Sequence, residues 1–287
     1  MGSWHPNDLV TDQDLADYES TILTKFGQFT WESKRTKALE DWLFPILRGA
    51  GFDPQQLRTR FDATQVTGYT GSAYTDLTGA AQNATTDDVN LATIFATPAT
   101  DALYVGSSEP FRGLFLKLLD SVSAVTATLS AAYWSGTWKS LAISDRTVAV
   151  SGKALSGGGS VVWTLPPDWV TRAVNGSDAR YWVKVSVSAV PTGAKASQIG
   201  VIRTSVLRAP LAFRTLALIM REAVTSSDGP WKEKADYYAD QAAESLERAL
   251  PLVGGEFDTD ADDLVDATEA TQTSTEASGG GWRLERG

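Results

Sequence analysis

The sequence contains no cysteine and a single histidine, His5, among its 287 residues. Without thiols the chain can form neither a disulfide framework nor a thiol nucleophile. One histidine argues against a His-based metal site or a Ser-His-Asp triad. Most familiar catalytic machinery is therefore missing, and we expect no enzymatic activity, no bound metal and no cofactor.

Long apolar runs are also missing. No stretch approaches the roughly 18 apolar residues of a membrane-spanning helix, and residues 1–8 lack the basic, apolar and small-residue order of a signal peptide. Hydrophobic residues make up 43% of the chain, which is enough to bury a sizeable core. We expect a soluble globular protein without a membrane partner.

Excess positive charge is absent, since the formal net charge is −10. This argues against nucleic-acid binding through a broadly basic surface. Most of the excess acid lies after residue 254, where only Arg283 and Arg286 are basic and the acids are Glu256, Asp258, Asp260, Asp262, Asp263, Asp266, Glu269, Glu276 and Glu285. The body of the chain is therefore close to neutral.

Tryptophan is plentiful, and half of the ten tryptophans fall within residues 131–188. Apolar and small polar residues alternate there, which is typical of strands with one buried face. Further strands are predicted at residues 101–107 and 111–118 around a Ser-Ser-Glu-Pro turn, at 125–134 with a hairpin at Ser135 and Gly136, at 147–150 pairing with 161–165, at 180–188 after the Asn175-Gly176 turn, and at 200–206. This spacing favours an antiparallel β-sandwich, in whose core we expect most of Trp134, Trp138, Trp163, Trp169 and Trp182.

Helical periodicity frames the strand-rich region on both sides. Residues 12–26 predict a first helix capped by Thr11 or Asp12, and a second, capped by Thr30, is interrupted by Pro45 before Gly49. After the strands, Pro210 begins a helix that is apolar nearly all round, and Asp228-Gly229-Pro230 begins another that runs to Pro251. We predict an α+β multidomain protein, with a helical domain at 1–60 and 207–253, an inserted β-sandwich of jelly-roll type at 61–206, and an extended acidic tail at 254–287.

The helical segments, in particular residues 14–19, 37–43, 213–219 and 234–250, resemble head-to-tail adaptor (connector) proteins of long-tailed bacteriophages and gene transfer agents. The insert resembles jelly-roll modules that recur in phage structural proteins and are similar to carbohydrate-binding modules. A large β-insert departs from the minimal helical adaptor.

The resemblance implies a homo-oligomeric ring of twelve copies in the virion neck, made in the bacterial host cytoplasm. The ring would join the capsid portal protein to a tail-side connector, a stopper or tail terminator. DNA would pass through its lumen without sequence-specific binding. The C-terminal segments of such adaptors reach the portal, so we predict that a glycine-tethered end docks there through Trp282, Arg283, Leu284 and Arg286.

Two other classes of function would use parts of this sequence. A carbohydrate-binding module or virion surface glycan-binding protein would stack sugars on exposed aromatic rings, for which Trp138 and Trp169 are the candidates. A glycosidase would need two carboxylates held about 5–10 Å apart in a cleft. The available acids, Glu109, Asp145, Asp168 and Asp178, all lie at predicted turns, where they are more simply turn formers, although a structural Ca²⁺ among them stays open.

Overall fold

A computed structural model describes residues 9–25, 30–224, 229–260, 262, 264–266 and 269–271. The predicted α+β class is confirmed, because the chain combines helices with antiparallel sheets. Among the described residues, none of the helices is both long and apolar enough to cross a bilayer.

The α-helices of the described residues are α1 (Asp12–Tyr18), α2 (Ile22–Lys25), α3 (Glu32–Ala38), α4 (Phe44–Gly49), α5 (Thr78–Ala81), α6 (Leu91–Ile94), α7 (Arg208–Glu222) and α8 (Pro230–Ala249). A π-helical turn, Leu39–Leu43, joins α3 to α4, and 3₁₀ turns cover Leu250–Glu256 and Glu269–Thr271.

The strands are β1 (Arg60–Asp62), β2 (Gln65–Tyr69), β3 (Tyr74–Asp76), β4 (Val89–Asn90), β5 (Ala102–Ser107), β6 (Gly113–Lys117), β7 (Leu129–Trp134), β8 (Trp138–Ser140), β9 (Ser144–Asp145), β10 (Gly159–Val162), β11 (Tyr181–Val187), β12 (Lys195–Ala196) and β13 (Gln198–Ile202). They form a five-stranded sheet in the order β1-β13-β6-β10-β9 and a six-stranded sheet in the order β3-β2-β5-β11-β7-β8, with a small β12-β4 pair.

The described residues divide into two compact units. The helical unit comprises those in Met1–Thr59, Thr204–Ala261 and Val265–Gly287, and the β unit comprises those in Arg60–Arg203 and Asp262–Leu264. The sequence had suggested 61–206 for the insert.

The helical unit has one core, to which both parts of the chain contribute, including Leu15, Leu39, Leu47, Leu216 and Leu246. Helix α1 begins at a capping box, in which Thr11 Oγ1 accepts from the Asp14 amide and Asp14 Oδ2 accepts from the Thr11 amide. The predicted first helix is two helices, because the chain turns at residues 19–21.

Pro45 lies at the start of α4, directly after the π-helical turn. Proline has no amide hydrogen and its ring crowds the preceding turn, so the wider turn accommodates the break that the sequence suggested. The π-helical form itself could not have been predicted from Pro45 alone.

The core of the β unit lies between the two large sheets, where Leu103, Leu129 and Val185 from one sheet face Leu114 and Val161 from the other. The space left among them is only about 10 Å³, so this core is tightly packed. A β-sandwich is therefore present, and its assignment as a jelly roll stays a prediction.

Two predicted features are wrong, one in the β unit and one near the C-terminus. Residues 147–150 form no strand, and β10 instead pairs with β9 at 144–145. Residues 254–258, placed in an extended tail, are instead part of the helical unit: Gly254, Glu256, Phe257 and Asp258 are buried, and Phe257 forms a β-bridge with Leu57. The two strands predicted around the Ser-Ser-Glu-Pro turn, β5 and β6, are present and belong to different sheets.

Candidate functional site

Aromatic side chains gather on the outer face of the six-stranded sheet. Successive residues of a strand face opposite sides, and Leu103 and Val185 face the core, so their neighbours Tyr104 and Lys184 face outward. The register then brings further aromatic residues to the same side. We call the set the aromatic face: Tyr69, Tyr74, Tyr104, Trp134, Trp138 and Trp182.

The rings of this face form a continuous series of contacts. Ring centroids lie 4.7 Å apart for Tyr69 and Tyr74, 5.9 Å for Tyr74 and Tyr104, 5.5 Å for Tyr104 and Trp138, and 5.5 Å for Trp138 and Trp134. Strands β5 and β8 are separated by two strands, which is roughly 14 Å of sheet. Tyr104 and Trp138 therefore reach toward each other across the sheet.

A cation covers one end of the aromatic face. The Arg172 guanidinium carbon lies 4.0 Å from the ring centroid of Trp134 and 5.4 Å from that of Trp138, both within cation–π range. Beneath it, Trp182 Nε1 donates to the Arg172 carbonyl over 2.9 Å. The missing side chain of Gly106 makes room for Trp182, whose ring lies 2.9 Å from where a Cβ would be.

Exposure differs sharply along the aromatic face. Trp182 is fully buried and Tyr104 is buried, whereas Tyr69, Trp134 and Trp138 are half-buried and Tyr74 is 39% exposed. Burial raises the pKa of Tyr104 to about 12, so its hydroxyl stays protonated near neutral pH. The part open to a ligand is thus Tyr74 with the partly exposed Tyr69, Trp134 and Trp138, a surface suited to stacking against a flat or weakly polar molecule.

The two aromatic residues predicted as ligand contacts differ in position. Trp138 belongs to the aromatic face. Trp169 does not: it is buried, with ring centroids 4.9 Å from Phe111, 5.9 Å from Tyr181 and 6.1 Å from Tyr133. Trp169 is therefore a core residue that cannot present a ring to a ligand, because the preceding turn folds it back into the sandwich.

The remaining predicted contacts, Trp282, Arg283, Leu284 and Arg286, lie outside the described residues. Their docking role stays a prediction.

The four turn acids each have protein partners. Asp168 accepts from Lys139 Nζ over 2.6 Å and from the Tyr133 hydroxyl over 2.7 Å, and these two hydrogen bonds lower the pKa of Asp168. Asp145 accepts from the Thr147 amide and hydroxyl. Asp178 pairs with Arg180, and Glu109 with Arg203. Asp145, at the end of β9, and Asp178 thus make local contacts, whereas Asp168 and Glu109 contact residues distant in sequence.

A second surface, which the sequence analysis missed, is an open groove of about 390 Å³ in the helical unit. Its lining is mostly apolar and includes Tyr18, Val206, Ala209, Pro210, Phe213, Ala249 and Leu252, with Gln241, Ser245 and Arg248 supplying polar groups. Leu252 is 65% exposed. In the sequence, only α7 hints at this groove. Its apolar residues lie on nearly all sides of the helix, so the core covers some of them and others are left to line a surface groove.

No protein-family model matches the chain, and neither does any curated protein. The aromatic face and the groove are therefore interpreted from their geometry.

A buried carboxyl lies near the start of α7. Glu256 Oε1 accepts from the Val206 amide over 2.7 Å, and Oε2 accepts from the Ser205 hydroxyl. Burial raises the pKa of Glu256 to about 7, and the two hydrogen bonds only partly offset this. The Glu256 carboxyl thus connects the 3₁₀ turn after α8 to Ser205 and Val206, just before α7. Near neutral pH this carboxyl can gain or lose a proton.

Proposed function

We propose that the chain is a virion structural protein, a head-to-tail adaptor whose copies form a ring between the capsid portal and the tail. The observation that carries the proposal is the helical unit, which is built from both parts of the chain around one core, with the sandwich inserted between α4 and α7. This order supports the resemblance that the helical segments suggested. The role is structural and not catalytic.

A ring subunit must bury part of its own surface against identical neighbours, and a head-to-tail ring pairs two different patches of each copy. The groove offers one apolar patch, at which Leu252 is strongly exposed. Tyr237 on α8, 58% exposed, and Leu23 on α2, 41% exposed, are further exposed apolar side chains of the same unit. Exposed apolar surface of this kind favours association.

The proposal includes the rest of the neck. The ring would have twelve copies, bind the portal protein on one side and a stopper or tail terminator on the other, and let DNA pass through its lumen. The C-terminal Trp282, Arg283, Leu284 and Arg286 would dock on the portal, many copies at once, so that weak single contacts add up.

Electron microscopy of the purified protein, with mass spectrometry of the particles from its source, tests the proposal. We expect rings in the first measurement and the chain among virion proteins in the second. Leu252→Glu places a charge in the groove and should abolish the ring, whereas Leu165→Glu, at a 41% exposed position of the β unit, should not. A protein that stays monomeric at all concentrations and is missing from the particles would rule out the adaptor.

Portal docking has its own test. Truncation after Ser278 should leave ring formation intact but abolish stable attachment to portal-bearing capsids. Wild-type occupancy of the truncated protein on those capsids would show that the C-terminal residues do not dock there.

A second candidate, glycan binding, is favoured by one observation: Tyr69 and Tyr74, with ring centroids 4.7 Å apart, and Trp138 present partly open rings on the aromatic face. Aromatic surfaces of this kind can stack on sugar rings. A glycan array probes this directly. Tyr74→Ala should lose any binding that the wild type shows, while Tyr237→Ala, at an exposed tyrosine of the helical unit, should keep it. If the wild type binds no glycan, this candidate fails.

A further inference from the structure

A lysine faces outward in the middle of the six-stranded sheet, beside the rings of the aromatic face. Lys184 on β11 lies directly opposite Tyr104 on β5, and Trp182, two residues before it on the same strand, faces the same side. Its neighbour on β7 is the small Ala132, and Lys184 stays partly exposed. Among the described residues, no carboxylate forms an ion pair with Lys184.

A second cation, Arg172, is held over the tryptophan end of the same face. Its backbone is fixed, because Arg172 and Arg180 exchange amide-to-carbonyl hydrogen bonds of 2.9 Å and Trp182 Nε1 donates to the Arg172 carbonyl. The side chain donates from Nε to the Ala173 carbonyl over 3.3 Å, and no carboxylate of the described chain pairs with it. Burial raises the pKa of Tyr104 to about 12 and the Arg172 charge opposes this rise, so the guanidinium lies near the Tyr104 hydroxyl. Both cations are therefore neighbours of one tyrosine.

Acidic residues scarcely counter these two charges. The structure describes all six strands, and their outward-facing positions contain one acid, Asp76, on the edge strand β3. Three strand spacings, roughly 14 Å, separate β3 from β11 and its Lys184. In the segment that follows Arg172, Asp178 is paired with Arg180. The aromatic face is therefore locally positive, in a chain whose formal net charge is −10.

We propose that the aromatic face binds a carbohydrate that carries carboxylate groups, an oligomer or polymer of uronic acids. This proposal rests on the glycan-binding candidate, not on the adaptor, and it specifies the class of sugar. A sugar ring stacks on the open rings of Tyr74 and Trp138, and its carboxylates accept hydrogen bonds from Lys184 and Arg172. Stacking and charge thus act on different parts of one ligand.

Nucleic acid also combines flat rings with negative charge, but the charges of this protein favour a sugar. Nucleic-acid strands are bound mainly through many basic contacts to successive phosphates. This face offers two cations, and the chain as a whole would repel a polyphosphate. A uronic acid carries one charge on each ring, which matches a surface where rings outnumber cations.

The test compares each acidic sugar with its own uncharged form. The whole chain is titrated with hexamers of galacturonic, mannuronic and glucuronic acid, and with the same hexamers after methyl esterification, which removes the charge and keeps the ring. Isothermal titration calorimetry gives the dissociation constants. We expect at least one acid to bind about tenfold or more tighter than its ester, as one charge-assisted hydrogen bond would give. High salt should reduce this preference, because both cations are partly exposed.

Variants separate charge from stacking. Lys184→Gln should lose about tenfold in affinity for the acid and little for the ester, whereas Tyr74→Ala should weaken both alike. Lys195→Gln, which removes an exposed lysine of β12, is the matched control and should change neither. Arg172→Gln should act as Lys184→Gln does, but it also uncovers Trp134, so Lys184→Gln decides.

Each failure has its own result. Equal binding of acid and ester, or binding of neutral glycans on the array without any uronic acid, would overturn the inference and leave glycan binding standing. No binding to any hexamer or to the array would rule out both. A single-stranded oligonucleotide bound more tightly than every acid would overturn the inference in favour of nucleic acid. Ring formation tests the adaptor separately from all of these results.

Discussion

Glu256 shows how one buried group can make stability depend on pH. Among the described residues its carboxyl is hydrogen-bonded to the uncharged Ser205 and Val206, and burial raises its pKa to about 7 from an ordinary value of 4.5. A carboxyl whose pKa rises on folding contributes stability below the unfolded-state pKa, and this contribution is lost as the pH rises through the folded-state pKa. The affected window is therefore about pH 4.5 to 7.

Glu256→Gln should remove this dependence. Glutamine can keep the acceptor for Val206 and donate to Ser205 without carrying charge. We expect the variant to be more stable than wild type by up to about 3 kcal/mol at pH 8, and no more stable near pH 4. Denaturant unfolding at both values measures the difference. Glu247→Gln, at an exposed position of α8, is the control and should change little; an equal effect of both variants at pH 8 would contradict the assignment.

The tryptophans of the sandwich should differ in what their removal costs. Trp182 is fully buried, so Trp182→Ala should destabilise the β unit by about 3–5 kcal/mol. Trp138→Ala should cost less, because Trp138 is half-buried. Near-ultraviolet circular dichroism during urea unfolding follows the change. Equal losses for the two variants would mean that the aromatic face is a single closed core.

Single residues also show where sequence reasoning reaches its limit. The burial of Trp163 was predictable from strand alternation. That of Trp182 was not, because Trp182 lies on the outer face, where it packs over Gly106 and bonds the Arg172 carbonyl. Trp169 was not, because it follows a turn with two prolines, where no periodicity gives the direction of a side chain. The sequence analysis places Leu264 in an acidic, extended tail. Nothing in the sequence around Leu264 indicates that Gly200, 64 residues earlier, leaves space for its side chain.

Among the elements, local turns were predictable and distant pairings were not. The β7–β8 hairpin turns at Gly136, and Asn175 and Gly176 both have positive φ, as their residue types suggest. Alternation alone does not say which strand lies next to which. Strands β5 and β6 are adjacent in sequence and almost wholly buried, yet they belong to different sheets.

The packing of β5 against β11 depends on a missing side chain. Gly106→Ala would place a methyl group 2.9 Å from the Trp182 ring, so the variant should lose about 1–3 kcal/mol through overpacking. Gly79→Ala in α5, where nothing lies within 4 Å, is the matched control and should be neutral or slightly stabilising. Thermal unfolding compares them. A neutral Gly106→Ala would show that the ring can shift.

At the scale of the whole molecule, the insert should be removable. Arg60, where the insert begins, pairs with Ile202 near its end, and paired residues of antiparallel strands lie only about 5 Å apart. Joining Thr59 to Thr204 through a short linker should therefore leave a folded helical protein, which far-ultraviolet circular dichroism would detect. Loss of all helical signal in the shortened chain would mean that the two units share one core.

The same pairing governs how the inserted stretch would respond to mechanical load. Residues 60–203 join the rest of the chain only at the start of β1 and just after the end of β13. A force that pulls these two points apart acts on one end of the β1–β13 pairing. The paired residues would therefore separate in order, first Arg60 from Ile202 and then Phe61 from Val201. The next pair is Asp62 with Gly200, the residue on which Leu264 rests. Tension would thus peel the edge strand while most of the sandwich stayed intact, and an early side-chain contact to break would be that of the Arg60 guanidinium with the Phe115 ring, whose centroid lies 4.1 Å away.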